Sequence, residues 1–146
     1  MEQNSMLKRY LIIGLIISIT SILGGCVKDF TMVGEFHFVN TTNYSITYQK
    51  GLEEFNVAPN STTIFKNQAR ISKKKSQENN YNTPLANFNN IKISFNKVKC
   101  LIDIKEEDLN SVRNIKNYKA ERVNDVTYKF TYTFTESDYS RAVNCP

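Results

Sequence analysis

Apolar and polar positions alternate with a period of two over much of the chain after Glu35. Phe36 and Phe38 share one face of a first strand, and Asn40-Thr41-Thr42-Asn43 is a turn cluster. Tyr44, Ile46 and Tyr48 alternate with Ser45 and Thr47 in a second strand, turned by Gln49-Lys50-Gly51. Phe55 and Val57 predict a short third strand, ended by Pro59-Asn60. Thr62 to Lys66 predicts a fourth, with Ile64 inward. From Lys66 to Leu85 the alternation stops and Asn, Gln, Lys and Ser dominate, which predicts a long exposed loop. The pattern returns at Ile91, Ile93 and Phe95, and Asn96-Lys97 suits a two-residue hairpin turn into Val98, Cys100 and Ile102. Asp103 to Asp125 is highly charged, and within it Glu106 to Arg113 fits a short helix. Val126, Tyr128, Phe130, Tyr132 and Phe134 then alternate with Thr127, Lys129, Thr131 and Thr133, the strongest strand signal in the chain. Thr135 resembles an N-cap, with Glu136 and Asp138 in the first turn of a short helix running to Ala142.

Short strands at this spacing predict a mainly β domain: a small antiparallel, immunoglobulin-like β-sandwich with one or two short helices. The alternative is a small open β-barrel. The β domain is expected over residues 35–146, as a single unit.

Residues 1–34 are organised differently. Met1 to Tyr10 is polar with Lys8 and Arg9, and Leu11 to Ile22 is apolar apart from Gly14, Ser18, Thr20 and Ser21. Leu23-Gly24-Gly25-Cys26 follows. This is the order of charged, apolar and small-residue regions in a secretory signal. As a helix the uncharged stretch from Leu11 to Gly25 spans only about 22 Å, short of the roughly 30 Å hydrocarbon core. Leu23-Gly24-Gly25-Cys26 resembles the bacterial lipobox, a Leu and two small residues before a Cys. The resemblance covers the first 26 residues. It implies cleavage before Cys26, a diacylglyceryl group on its thiol and acylation of the freed amine, which together hold a protein to a membrane. One myristoyl-sized chain binds only marginally, and two or three make a lasting anchor. Residues 1–25 are then the signal peptide and 26–34 the lipidated Cys with a short tether. Val27, in place of Asp, implies outer-membrane sorting, and Val27-Lys28-Asp29 loosely resembles the surface-export signal of Bacteroidota lipoproteins.

The chain has a formal charge of +5. Removing Lys8, Arg9 and Glu2, a net +1, leaves the mature part at +4. An exported location makes nucleic acid an unexpected partner. Lipid phosphates and acidic glycans remain, and Arg70, Lys73, Lys74 and Lys75 in the predicted loop are the candidate contacts with an anionic surface. With Cys26 used by lipid, Cys100 and Cys145 form an even pair, for which an exported chain predicts a disulfide.

No pattern of catalysis emerges. His37 is the one histidine and is expected exposed, away from Phe36 and Phe38. No zinc-ligand spacing, nucleophile elbow or phosphate-binding glycine loop is present. Glu53-Glu54 and Glu106-Glu107-Asp108 are clustered, but sequence neighbours rarely converge on one substrate. The aromatic column of the last strand is expected in the core. Asn40, Asn43 and Asn60 match a glycosylation sequon, and their turn positions account for them. The expectation is a monomeric, non-enzymatic, cofactor-free envelope lipoprotein that binds a protein or a glycan through the 66–85 loop and strand-edge loops. The alternative is an inhibitor or immunity-type lipoprotein that blocks an incoming enzyme.

Overall fold

The structure, a computed structural model, describes residues 30–50, 53–71, 75–88 and 91–146. These form β1 (Phe30–Asn40), β2 (Ile46–Lys50), β3 (Glu53–Val57), β4 (Thr62–Ile71), β5 (Ile91–Phe95), β6 (Lys99–Leu101), β7 (Lys119–Arg122), β8 (Thr127–Phe134), α1 (Glu136–Arg141) and β9 (Val143–Asn144). One sheet has the order β4-β1-β8-β7 and the other β3-β2-β5-β6-β9. They pack as a small β-sandwich with no closed barrel. Immunoglobulin likeness extends to the two packed layers and not to strand order. Nor is the pairing wholly antiparallel, because β1 and β8 run parallel at the centre of their sheet.

Alternation explains the core. Phe36 and Phe38 of β1 lie opposite Phe130 and Tyr132 of β8, and all four are buried. The Phe36 and Phe130 rings stack at 5.1 Å. Ile46, Tyr48, Ile93 and Phe95 close the core from the second sheet. Burying each such side chain contributes about 1.5–3 kcal/mol. The aromatic column of β8 therefore sits where its period placed it. So does the hairpin turn, in which Asn96 and Lys97 both take positive φ (50° and 59°) and Val98 N–H donates to the Phe95 carbonyl at 3.0 Å. The pair is left-handed as a two-residue turn requires, but the connection is one residue longer than expected, since Phe95 pairs with Lys99 and Val98 belongs to the turn. α1 also forms as expected, with Asp138 accepting from Thr135 N–H at 2.9 Å.

Four expectations are corrected. β1 starts at Phe30, not Glu35, so much of the predicted tether is strand, paired with β4 from Phe30↔Ile71 onward. Ile64 faces outward and is half exposed. Phe65 points inward instead, against Phe38, Tyr48 and Phe55. The predicted 66–85 loop is not free. β4 runs to Ile71, and Ser76, Tyr81, Thr83 and Leu85 are buried. Tyr81 holds this segment down by donating to the Val126 carbonyl at 2.9 Å. Gly34 makes the room for it, since a Cβ there would meet the Phe36 ring at 2.8 Å and the Tyr81 ring at 3.0 Å. Finally, residues 106–113 are turns, not a helix. Asn110 takes φ 56°, and the Asp108 carboxylate folds back onto Lys105 N–H at 2.7 Å. Gly51, expected in the second turn, lies outside the described residues.

The sandwich has two poles along β1. At one, β1 projects three residues beyond the start of its pairing with β8 and is paired there only with β4. At the other, Asn40 is buried and closes the ends of the strands. Its amide donates to the carbonyls of Tyr44 (2.7 Å), Val57 (3.2 Å) and Ala58 (3.0 Å). Its Oδ1 accepts from Thr42 N–H (2.9 Å) and Thr42 Oγ1 (2.8 Å). A side chain so enclosed is a structural fastening and explains this asparagine better than a glycan would.

Candidate functional site

Titratable side chains collect on the outer face of the four-stranded sheet. Register places Lys66, Glu35, Lys129 and Glu121 in one row across β4, β1, β8 and β7. Their charges alternate. Lys66 Nζ is 2.7 Å from Glu35 Oε1, and Lys129 Nζ is 3.2 Å from Glu121 Oε2. The Lys66 hydrogen bond holds the Glu35 carboxyl below its ordinary range. A general acid needs the opposite shift. His37 sits in the next row, beside Ile64 and Thr131. It is less open than expected: its side chain is 18% exposed and Nε2 is buried without a hydrogen-bond partner. Glu35 Oε2, at 3.9 Å, is too far to accept from it. This face is a self-neutralised ion-pair ladder.

The other carboxylates are also dispersed. Glu54 borders a shallow polar depression with Thr47, Lys92, Ser94 and Lys97 on the outer face of the five-stranded sheet. Glu106 and Glu107 are exposed, while Asp108 is used as a cap. Asp138 is buried and bound by Arg141, whose Nη2 lies 2.8 Å from Oδ1. Arg141 in turn donates to the carbonyls of Leu109 (3.2 Å) and Asn110 (3.3 Å). This carboxylate ties α1 to the 103–110 loop. No group of His, Cys, Asp and Glu among the described residues is placed to hold a metal ion.

The expected disulfide joins Cys100 to Cys145. It fastens β9 to β6, beside the pair Cys100↔Val143. α1 is held alongside, with Tyr139 stacked on Tyr44 at 3.9 Å and Lys99 Nζ 4.6 Å above the Tyr139 ring.

Around this disulfide lies a surface that the sequence did not announce. Val143 lies opposite Cys100 and so shares its face. Val98, in the hairpin turn, and Ile102, just past the end of β6, flank Cys100 two residues away on either side. All three are exposed, at 61% for Val98, 43% for Ile102 and 53% for Val143. The signal was available in the sequence as the alternation Val98-Cys100-Ile102, but it looks the same as a core-facing strand.

Of the residues singled out from sequence, Leu23, Gly24, Gly25 and Cys26 lie outside the described residues, as do Lys73 and Lys74. Arg70 is placed in β4 opposite Thr31, and Lys75 is exposed. Among the described residues no helix is long and apolar enough to cross a membrane. No family model, curated protein or solved structure matches the chain.

Proposed function

We propose that the protein is a lipid-anchored module of the bacterial cell envelope, held through Cys26 at the outer membrane, that binds another protein without catalysing a reaction. The observation that carries the binding role is the exposed trio Val98, Ile102 and Val143 around the disulfide. Isolated apolar side chains are ordinary on a surface; three exposed around one disulfide have the composition of an interface centre. A protein partner is favoured over a glycan by where the aromatic rings lie. Phe130, Tyr132 and Phe134 are buried, and Tyr44 and Tyr139 stack on each other. Few rings are therefore free to stack on sugar.

Two measurements test this reading. Cys26→Ala should abolish incorporation of labelled fatty acid and release the protein from membranes; unchanged labelling refutes the anchor. A photo-crosslinking residue at Val143 in living cells should give a discrete adduct, and one at the exposed Thr133 of the opposite sheet should not. Equal adducts, or none at either, refute the interface. An adduct formed only with an incoming foreign enzyme supports the inhibitor alternative.

A further inference from the structure

We infer that a cleft where β7 begins binds a small carboxylate that also carries a secondary amide. The site is independent of the face around the disulfide and of the proposed anchor.

The direction of the backbone groups along β8 explains the cleft. The Val126 and Phe134 carbonyls accept from Val33 and Thr41 N–H on the β1 side, whereas the Thr127 carbonyl accepts from Val123 N–H on the β7 side. These directions alternate along a strand, so Thr131 and Thr133 also turn their N–H and C=O toward β7. β7 begins at Lys119, opposite Thr131. Two residues back, Asn117 would meet Thr133 if the strand continued. Instead it ends a 3-10 turn over Ile115–Asn117, and its amide donates to the Ser111 carbonyl at 2.9 Å. The N–H and C=O of Thr133 are left without a backbone partner among the described residues. A free donor and acceptor at strand spacing fit one secondary amide.

A cleft of about 320 Å³ opens at this point, bordered by Asn110, Asn117, Lys119, Thr131, Thr133 and Asp138. Its walls are fixed. The Tyr132 hydroxyl donates to the Asn110 carbonyl at 2.6 Å, and Arg141 holds both that carbonyl and Asp138. The Asp138 carboxylate is thereby buried and neutralised. Lys119 stands beside Thr131 on the outer face of the sheet. Among the described residues its ammonium has no counter-ion, and the hydroxyls of Thr131 and Thr133 have no partner. A carboxylate seated on these groups gains charge-assisted hydrogen bonds, while its amide lies along the Thr133 backbone. The same unit occurs at the C-terminal end of a peptide and in an acetamido sugar acid. A cleft of this size takes a small molecule, so a photo-crosslinker at Thr133 still meets no protein.

The test follows the Thr133 amide resonance of the full-length, isotopically labelled protein in detergent micelles. The titrants are N-acetylalanine, for the peptide source, and N-acetylmuramic acid, for the sugar source. At least one should shift Thr133 saturably at millimolar concentration and leave the Val143 amide unmoved. Lys119 is exposed, so Lys119→Gln should leave unfolding unchanged while weakening that binding about ten-fold. N-acetylglucosamine, which has the amide without the carboxylate, and propionate, which has the carboxylate without the amide, should each bind more weakly than the better titrant. The tighter of the two titrants identifies the source, and equal affinity assigns the site to the shared unit alone. If neither titrant moves Thr133, or if affinity is insensitive to Lys119→Gln or to loss of either group, the inference is overturned.

Discussion

Breaking the Cys100–Cys145 bond tests how the C-terminal end is held. The bond closes a loop with a sequence separation of 45. In the chain-entropy description, a loop of that length removes about 13 cal/mol/K from the unfolded ensemble, or about 4 kcal/mol at 25 °C. The native contacts that it guards are few: Lys99↔Asn144 and Cys100↔Val143 in register, and Cys145 N–H donating to the Val98 carbonyl at 2.9 Å. Those contacts alone do not offset the ordering of four residues at ~1–2 kcal/mol each. The double substitution Cys100→Ala with Cys145→Ala should therefore lower unfolding free energy by about 4 kcal/mol, and Tm by roughly 16 °C at ~4 °C per kcal/mol for a domain of this size. The assay is urea denaturation of the mature protein followed by far-ultraviolet circular dichroism. The m-value should rise, because a chain without the cross-link exposes more surface when unfolded. A loss under about 1 kcal/mol with unchanged m would refute the reasoning, by showing that the bond constrains neither state.

Other substitutions probe the core, a turn and the ion-pair face. Tyr48 is buried with a hydroxyl that has no hydrogen-bond partner, so Tyr48→Phe should stabilise by about 1 kcal/mol in the same denaturation assay; a loss would reveal a partner for that hydroxyl. Lys97 holds φ 59°, which costs a side-chain-bearing residue ~1–2 kcal/mol. Lys97→Gly should recover about 1 kcal/mol of that, whereas Asn96→Gly should not, because Asn96 Oδ1 accepts from Ser45 N–H at 2.7 Å. The Glu35 carboxyl is held below its ordinary value of 4.5, chiefly by Lys66. Its contribution is complete above that value and is lost as the pH falls through the lowered folded pKa. Stability should thus decline below pH 4.5 less steeply in Glu35→Gln than in the wild type, and parallel acid profiles would remove Glu35 from the account.

Periodicity made the core of this fold legible wherever strands are long and one-sided. β8 is the clearest case, since four aromatic residues at period two have only one face to fill. β4 shows the limit. Ile64 and Phe65 are adjacent and both apolar, so alternation allows either parity; the choice is made by Phe36, which lies opposite Phe65, a partner nearly thirty residues away. The 76–88 segment is polar because its hydrogen bonds are specific. Ser76 meets the Tyr81 hydroxyl at 2.8 Å, Thr83 donates to the Arg113 carbonyl at 3.1 Å, and Arg113 Nη2 donates to the Ala86 carbonyl at 3.0 Å. A polar composition predicts exposure only when those partners are unknown. The parallel pairing of β1 with β8 joins positions such as Phe36 and Phe130, too distant for any local pattern to announce.

The exposed face around the disulfide was hidden for a different reason. A strand that covers a core on one side should be polar on the other, and β6 follows that rule only at Leu101. Inward it offers Leu101, which is buried, and Lys99, whose ammonium reaches the Tyr139 ring. Outward it offers Cys100, because a bond to Cys145 requires Cys100 to face β9 on that side, and Val98 and Ile102 are exposed just beyond its two ends. The disulfide accounts for Cys100 being buried, yet it makes no demand on Val98, Ile102 or Val143. Polar residues at those three positions would satisfy the same strand pairing and expose less apolar surface to water, at ~25 cal/mol per Å². β9 contributes only two residues to its sheet, so this edge also offers little backbone for another strand to extend. The apolar side chains, rather than the strand edge, are what a partner would read there. Val98→Ser with Val143→Ser should therefore leave unfolding free energy within about 0.5 kcal/mol of wild type and remove the adduct expected from a photo-crosslinker at Ile102. A large loss of stability would assign these side chains to folding, and an undiminished adduct would place the contact elsewhere.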